Sequence, residues 1–293
     1  MKPISISIVL PARNEAAAIA EPLARLRAGL PAAEIIVVDD GSTDDTAALA
    51  QAAGACVISH PYSKGNGAAI KTGARAASGE VIVFMDADGQ HDPADIPALL
   101  ARLDEGHDMV VGARQTGSQA SIGRGLANRF YNRLASYMTG HRVEDLTSGF
   151  RAVRAKKFRE FLYLLPNGFS YPTTSTMAFF RAGYSVAYEP IHAARRVGQS
   201  HIRPLHDGLR FLLIIFKIGT LYSPLKLFAP AAALMFLLGS LWYLNTFMQF
   251  GRFTNMSALL YTGSVMVFMM GLISEQITAL MYRDAGTRDA REK

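Results

Sequence analysis

Two pairs of acidic residues stand where short hydrophobic runs end. Asp39 and Asp40 follow one run, and Asp86 and Asp88 follow another. Short runs rich in β-branched residues are typical of buried parallel strands. Ligands of open α/β sheets bind at the carboxyl ends of such strands. The spacing therefore predicts a crevice lined by carboxylates, where a divalent ion and a nucleotide could bind.

The Asp86-Ala87-Asp88 motif, with Gln90 two residues later, is the sharpest of these signals. At an irregular strand exit the two carboxylates can converge on a hard cation such as Mg²⁺ or Mn²⁺, which prefers oxygen ligands. Such an ion would bridge a nucleoside diphosphate and neutralise charge on the leaving group. The alternative is a solvated turn, since Asp and Gly are both turn-forming residues.

Asp40 is the next candidate, because a carboxylate at a strand end can accept a hydrogen bond from a nucleobase N–H. Asn14 and Glu15 leave the first predicted strand and could flank the same pocket. Helix capping is the alternative for Asp39 and Asp44.

Lys71 follows a glycine-rich turn, Lys64-Gly65-Asn66-Gly67, and could place a cation near phosphate. It could equally be a solvated helix residue. The stretch at 166–172 contains Pro, Asn and Gly, which favours either a pocket wall or a turn that enters a helix.

Strand and helix patterns alternate over the first 115 residues, with strands predicted near 4–10, 34–39, 55–59, 80–86 and 108–113. This alternation predicts βαβ units and a mostly parallel sheet, hence an α/β fold. A polar stretch at 115–140 contains a predicted helix, and residues 145–203 resemble shorter mixed elements that close over the sheet.

The chain becomes strongly apolar after about Arg203. Residues 227–251 carry no charge, and residues 253–282 carry only Glu275. Since about 20 apolar residues cross a bilayer core, two spans are predicted near 226–248 and 257–281. Two buried helices of a soluble core are the alternative. Glu275 would be a functional group inside the membrane, unless it makes an inter-helix hydrogen bond or snorkels.

Charge placement predicts the orientation of these spans. Lys217 and Lys226 precede the first, four basic residues follow the second, and the connector holds only Arg252. The positive-inside tendency then places both termini in the cytoplasm, and residues 4–10 are too short for a signal peptide. Residues 204–222 have their polar side chains on one arc, which indicates an interfacial helix, with a core helix as the alternative.

The predicted organisation is a cytoplasmic catalytic domain at 1–203, an interfacial helix at 204–224, a transmembrane hairpin at 225–282 and a cytoplasmic tail at 283–293. The net charge of +6 suits an anionic leaflet. Nucleic-acid binding is excluded, because no basic patch interleaved with aromatics and no recognised motif is present. The single Cys56 excludes an internal disulfide and fits a reducing compartment.

These motifs, in this order, resemble glycosyltransferase family 2, which has the GT-A fold. The segments that carry the resemblance are Leu10–Glu15, Val37–Asp44, Lys64–Gly67 and Asp86–Gln90. Asp145–Arg151, Arg195–Ser200 and the two predicted spans narrow it to the polyprenyl-phosphate glycosyltransferases, the dolichol-phosphate mannose synthase-like group. The resemblance covers nearly the whole chain.

The resemblance implies roles for the donor side. Asp40 would read the base, and Asp86, Asp88 and Gln90 would hold Mg²⁺ or Mn²⁺ with the diphosphate. The other residues implied in nucleotide-sugar binding are Pro11, Asn14, Glu15, Lys71, Arg114 and Arg124.

On the acceptor side, the resemblance places Asp145 near the acceptor, with Arg151 and Arg195 or Arg196 on the lipid phosphate. Arginine's planar fork suits that task. Ser148 and Ser200 would belong to the same phosphate site. Where the family often has G-E-S-K, this chain has Gly198-Gln199-Ser200-His201. A basic edge facing anionic lipid is the alternative for the two adjacent arginines.

The implied reaction is an inverting transfer of one sugar from a UDP- or GDP-linked donor to a polyprenyl phosphate, such as undecaprenyl phosphate, at the cytoplasmic face of the bacterial inner membrane. The acceptor is already anionic, so Asp145 would orient it or take a residual proton. Positioning and charge would supply most of the acceleration. Another lipid or glycan acceptor, or a non-catalytic membrane scaffold, are the alternatives. The sequence identifies neither the sugar that is transferred nor whether the chain forms a homo-oligomer through the two predicted spans.

Overall fold

The computed structural model describes residues 4–114, 122–168, 170–191, 219–220 and 222–289, and it describes their side chains except at 122–128 and 281–289. The chain divides into two compact units, Met1–Ile202 and Arg203–Lys293. Arg195, Arg196, Ser200 and most of the interfacial helix predicted at 204–222 lie outside the described residues.

The first unit contains one seven-stranded mixed sheet, in the strand order β3-β2-β1-β4-β6-β5-β7. Its strands are β1 (Ile6–Ala12), β2 (Glu34–Asp39), β3 (Cys56–Ser59), β4 (Val81–Phe84), β5 (Met109–Arg114), β6 (Arg151–Arg154) and β7 (Val186–Ile191). All pairings are parallel except those of β6, which runs antiparallel to β4 and β5. The predicted mostly parallel α/β sheet is confirmed.

Helices connect these strands: α1 (Ala20–Gly29), α2 (Thr46–Ala52), α3 (Asn66–Ala76), α4 (Ile96–Asp104), α5 (Ile122–Thr139), α6 (Ala155–Arg159) and α7 (Tyr171–Arg181). Residues 35–38 of β2 and 81–84 of β4 are all buried. Both faces of these strands are therefore covered, which explains why their sequences are continuous apolar runs rather than alternating ones.

β6 brings a later part of the chain to the carboxyl edge of the sheet. Because it runs against its neighbours, its first residue, Arg151, pairs with Phe84 near the end of β4 and with Val111 of β5. Residues 145–203 were predicted only to close over the sheet. They also extend it, since β6 inserts between β4 and β5 and β7 adds an outer strand.

The second unit contains two long helices that pack against each other, α8 (Pro224–Phe250) and α9 (Asn255–Asp289). Pro224–Phe250 and Asn255–Leu280 are long and apolar enough to cross a membrane. Large apolar side chains on them are exposed, such as Leu241 at 64 % and Met248 at 78 %. Such exposure does not fit core helices of a soluble protein. The prediction of two C-terminal helices that could span a membrane is confirmed.

Contacts between α8 and α9 involve a glycine and an acid. A Cβ atom at Gly271 would lie 2.7 Å from Cβ of Phe228, so only glycine permits this close approach of the helices. Glu275 accepts a hydrogen bond from the backbone N–H of Leu225 at 3.2 Å. Leu225 lies in the first turn of α8, where backbone N–H groups lack helical partners. The inter-helix hydrogen bond considered for Glu275 is therefore present.

Candidate active site

The candidate site lies at the carboxyl edge of the sheet, where β1, β2, β4 and β5 end. These strands lead to Asn14, Asp40, Asp86 and Arg114, respectively. Pro11 lies within β1, in register with Val38 of β2. The parallel arrangement thus places the predicted donor-side residues along one edge.

Both carboxylate oxygens of Asp40 are fully hydrogen-bonded. Oδ1 accepts from Nδ1 of His60 at 2.7 Å and from the backbone N–H of Lys64 at 2.8 Å, while Oδ2 accepts from Ser63 Oγ and the Gly65 N–H, both at 2.8 Å. Burial raises the pKa of Asp40, but these hydrogen bonds outweigh burial and hold the pKa at about 2. Asp40 is therefore ionised at neutral pH and organises the turn after β3.

The residues that leave β1 are tied to the segment after β2. The backbone N–H of Asn14 donates to Ser42 Oγ at 2.9 Å, and its side-chain oxygen accepts the N–H of Thr43 at 2.9 Å. The N–H of Glu15 donates to Thr46 Oγ1 at 2.9 Å. The predicted proximity of the first and second strand exits is present in the structure.

Asp86 lies in a space that depends on the absence of a side chain at Gly149. A Cβ atom there would lie 2.9 Å from Oδ2 of Asp86 and 3.2 Å from the hydroxyl of Tyr171. Tyr171 is buried and donates to the carbonyl of Gly149 at 3.0 Å. Burial and the charge of Asp86 raise the pKa of this phenol, so Tyr171 stays protonated as a donor.

Asp86, Asp88 and Gln90, whose oxygens suit Mg²⁺ or Mn²⁺, follow the end of β4 in the chain. The side chain of Asp86 is 34 % exposed, and Oδ1 of Asp88 accepts the backbone N–H of Gln90 at 3.1 Å. Among the described residues, no three His, Cys, Asp or Glu side chains form a metal-binding group. Magnesium is commonly held by one or two carboxylates plus phosphate oxygens and water. The donor set therefore fits an ion that binds together with a diphosphate.

Arg114 and Asp145 form a bidentate ion pair. Nε of Arg114 lies 2.7 Å from Oδ2, and Nη2 lies 2.9 Å from Oδ1. The backbone N–H groups of Thr147 and Ser148 also donate to Asp145 at 3.1 Å. Burial raises the pKa of Asp145, but Arg114 and the N–H donors hold it below its ordinary value. Asp145 is consequently an ionised, fixed carboxylate and a weak proton acceptor at neutral pH.

Arg151 differs from its expected placement on the lipid phosphate. It is fully buried, and its guanidinium donates to the carbonyl of Pro172 at 2.9 Å, to Ser175 Oγ at 2.8 Å and to the carbonyl of Ser148. In this conformation no phosphate can reach it. Arg151 instead ties the segment before β6 to α7. Ser148 Oγ is also buried, without a hydrogen-bond partner in the described part of the chain.

Lys71 contacts the turn at 166–168 rather than facing open solvent. Its ammonium donates to the carbonyl of Leu165 at 3.1 Å and to the side-chain oxygen of Asn167. The backbone N–H of Ala68, in the first turn of α3, donates to the carbonyl of Asn167 at 2.9 Å. The turn therefore caps α3, and burial together with the charge of Arg75 lowers the pKa of Lys71.

Sequence reasoning missed His60 and Ser63, which both donate to Asp40. His60 follows β3 as Asp40 follows β2, so the strand-end rule that selected Asp40 could have found it. Arg124 lies in α5, but its side chain is outside the described set.

Comparison with known proteins identifies the chain. Residues 7–162 match the family Glycosyl transferase family 2, and residues 223–280 match the GtrB C-terminal hairpin. The chain is a glycosyltransferase that belongs to glycosyl transferase family 2.

Two relatives illustrate the extent of the similarity. Undecaprenyl-phosphate 4-deoxy-4-formamido-L-arabinose transferase of Pseudomonas aeruginosa is 30 % identical, over 98 % of this chain and 90 % of the relative. Glycosyltransferase AglJ of Haloferax volcanii is 29 % identical, over 77 % of this chain and 76 % of the relative. The similarity to the first of these relatives extends through the two C-terminal helices.

Solved structures share the fold. Glucosyl-3-phosphoglycerate synthase from Mycobacterium tuberculosis in complex with phosphoglyceric acid has a TM-score of 0.60 and 26 % identity, covering 74 % of this chain and 79 % of that chain. The same enzyme with Mn²⁺, uridine diphosphate and glucosyl-3-phosphoglycerate has a TM-score of 0.57 and 27 % identity, covering 74 % and 78 %. The predictions of family, GT-A fold and enzyme class are confirmed.

Proposed function

We propose that this glycosyltransferase transfers one sugar from a nucleotide diphosphate sugar to a polyprenyl phosphate at the cytoplasmic face of the membrane. The observation that carries the proposal is the near full-length similarity to an undecaprenyl-phosphate sugar transferase. The match of residues 223–280 to the GtrB hairpin supports a membrane-bound acceptor. The neighbour that binds Mn²⁺ and uridine diphosphate supports a UDP-linked donor, and a GDP-linked donor is the alternative.

The donor would lie along the carboxyl edge from Asp40 to Asp86, with the base at Asp40. Mg²⁺ or Mn²⁺, when bound by Asp86, Asp88 and Gln90, would neutralise charge on the diphosphate. The other residues proposed for the donor pocket are Pro11, Asn14, Glu15 and Arg124. Lys71 and Arg114 have internal acceptors in this structure, so we propose that they hold the walls of the pocket.

The transfer would be a single displacement with inversion at the anomeric carbon. A phosphate oxygen of the lipid forms the new bond to this carbon as the bond to the diphosphate breaks. That oxygen is anionic at neutral pH, so a strong general base is not needed. Asp145, ionised and paired with Arg114, suits orientation of the acceptor better than proton transfer. The proposed acceptor-phosphate residues are Arg195, Arg196 and Ser200; Ser148, first expected at the same phosphate, is buried in this structure like Arg151.

A polyprenyl tail stays in the bilayer, so the catalytic domain has to work at the membrane surface. Residues 1–203 would form this domain in the cytoplasm, 204–224 an interfacial helix, 225–282 the spanning hairpin and 283–293 a cytoplasmic tail. Basic residues on both sides of the hairpin support this orientation.

The experiment that tests the proposal uses the full chain in detergent with undecaprenyl phosphate, Mg²⁺ or Mn²⁺, and a panel of UDP- and GDP-sugars. Nucleoside diphosphate release and the mass of the lipid are followed together. One donor should yield a lipid heavier by one sugar. Nucleotide release without a lipid product would point to another acceptor, and no turnover by folded protein would favour the scaffold alternative.

A further inference from the structure

His60 is a buried histidine with no part in the transfer chemistry described above. Its backbone N–H donates to the carbonyl of Asp39 at 2.8 Å, which fixes the residue just after β3. Its ring lies between two elements: Nδ1 is 2.7 Å from Oδ1 of Asp40, and Nε2 is 2.9 Å from Oγ1 of Thr72 in α3. The side chains of His60 and Asp40 are each only 5 % exposed. Both ring nitrogens are engaged, so the orientation of the ring is fixed.

The carboxylate of Asp40 has no acceptor position left for a ligand in this conformation. A carboxylate offers about four lone-pair sites, and four donors occupy them here. A nucleobase N–H can therefore bind Asp40 only by replacing one of these donors. Three of them, from Ser63 to Gly65, belong to one short turn between β3 and α3. The fourth is His60, whose backbone is hydrogen-bonded to Asp39 of β2 and whose ring is hydrogen-bonded to Thr72 of α3.

We propose that His60 is a positioning residue for nucleobase recognition. It keeps the carboxylate of Asp40 in place while one donor of the Ser63–Gly65 turn releases its hydrogen bond to Asp40, and the N–H of the base then donates to the vacated carboxylate lone pair. An ionised carboxylate requires Nδ1 to carry a proton, and Nε2 is within hydrogen-bond distance of the hydroxyl of Thr72, which can either donate or accept. The proposal deepens the proposed function and rests on the role of Asp40 in reading the base.

Binding measurements on the full chain with Mg²⁺ test this role without requiring turnover. The probes are uridine diphosphate, guanosine diphosphate and inorganic pyrophosphate, which carries the diphosphate but no base. His60→Ala should weaken binding of the nucleotide preferred by the wild type by about tenfold, the order that a hydrogen bond to a charged group supplies. Its pyrophosphate affinity should stay within about twofold of the wild type. His60→Asn, whose amide N–H can replace Nδ1–H, should recover part of the loss.

His107→Ala is the matched control, because His107 precedes β5 at the opposite edge of the sheet. Equal losses of nucleotide and pyrophosphate affinity in His60→Ala would overturn the proposal, and so would an unchanged nucleotide affinity. If His60→Ala does not fold, Thr72→Val carries the test, with an expected loss of about threefold for the nucleotide alone. A wild type that binds neither nucleotide would overturn both this proposal and the proposed function. Intact nucleotide binding without sugar transfer would count against the proposed function only.

Discussion

Asp40, Asp86 and Asp145 stand at the same edge of the sheet in different surroundings. Asp40 accepts four hydrogen bonds and Asp145 is paired with Arg114, whereas Asp86 is 34 % exposed. The first two carboxylates are held in place by the protein itself. Asp86 is the most exposed of the three carboxylates, as the cation-binding role proposed for it requires, and a Cβ atom at Gly149 would lie 2.9 Å from it.

Gly149→Ala is expected to reduce activity by displacing Asp86. The added Cβ would lie 2.9 Å from the Asp86 carboxylate, and an overpacked site has to shift. We expect kcat to fall by about tenfold and the Mg²⁺ concentration for half-maximal activity to rise. Gly29→Ala, where a Cβ would meet nothing within 4 Å, is the control. If the Mg²⁺ dependence of activity were unchanged in Gly149→Ala, this result would contradict the proposed role of Asp86 in metal binding.

Asp40 should make stability depend on pH in the acid range. Its pKa is about 2 in the fold and 3.8 ordinarily, so its stabilisation is present above pH ~4 and is lost as the pH falls towards 2. The difference corresponds to about 2 kcal/mol at neutral pH. Asp40→Asn should therefore lower Tm at pH 7 and lower it progressively less below pH ~4.

The matched control for this measurement is Asp45→Asn. Asp45 precedes α2, and its side chain makes no capping hydrogen bond. The Tm of the Asp45→Asn variant should therefore follow that of the wild type at each pH. A Tm difference for Asp40→Asn that stays constant across the acid range would contradict the linkage.

Among the elements, β1 to β5 could be predicted because each contains a run of apolar, mostly β-branched residues. β6 could not, since Arg151-Ala152-Val153-Arg154 is short and has an arginine at each end. Its place in the sheet is set by pairing with β4 and β5, which a local pattern does not encode. The same reason explains why Arg151 was expected on a phosphate but is buried in the structure. Its burial follows from strand pairing and from contacts with α7, which a local sequence pattern does not encode.

The contact between Lys71 and the turn at 166–168 predicts matching effects for two variants. Lys71→Met and Asn167→Ala remove opposite ends of one hydrogen bond, so each should destabilise the fold by about 1 kcal/mol, and the double variant by less than the sum. Thermal unfolding and the donor KM are measured for all three. A donor KM that rises far more in Lys71→Met than in Asn167→Ala would instead show that Lys71 binds the donor phosphates.

The hydrogen bond from Leu225 to Glu275 predicts a difference between two variants in the hairpin. Glu275→Gln keeps an oxygen that can accept the N–H of Leu225, and it should retain Tm and activity. Glu275→Leu leaves that N–H unpaired and should lower Tm by the equivalent of about 1–3 kcal/mol. Equal losses in both variants would show that the charge itself is required, as expected of a functional group in the membrane.

Across the whole molecule, the composition changes near residue 203, where the chain also divides into its two compact units; the roles assigned to these units stay predictions. The acidic strand ends lie at the carboxyl edge of the sheet, and the placement of the donor site at this edge stays a prediction. The hydrogen bonds of Arg114 to Asp145 and of Lys71 to Asn167 could not be predicted, because each joins distant parts of the chain. Both units fit the proposed transfer. The first unit offers carboxylates and backbone amides for a charged donor, and the second offers apolar helices that suit an acceptor in the bilayer.

The most direct test of the proposed transfer is the mass of the lipid formed from undecaprenyl phosphate by the wild type and by Asp88→Asn. Undecaprenol, which lacks only the phosphate, serves as the matched acceptor. We predict that undecaprenyl phosphate gains the mass of one sugar in the presence of Mg²⁺ or Mn²⁺, that Asp88→Asn lowers the rate by about a hundredfold or more, and that undecaprenol is not modified. Undiminished transfer by Asp88→Asn, or a product formed from undecaprenol, would contradict the proposed site and acceptor.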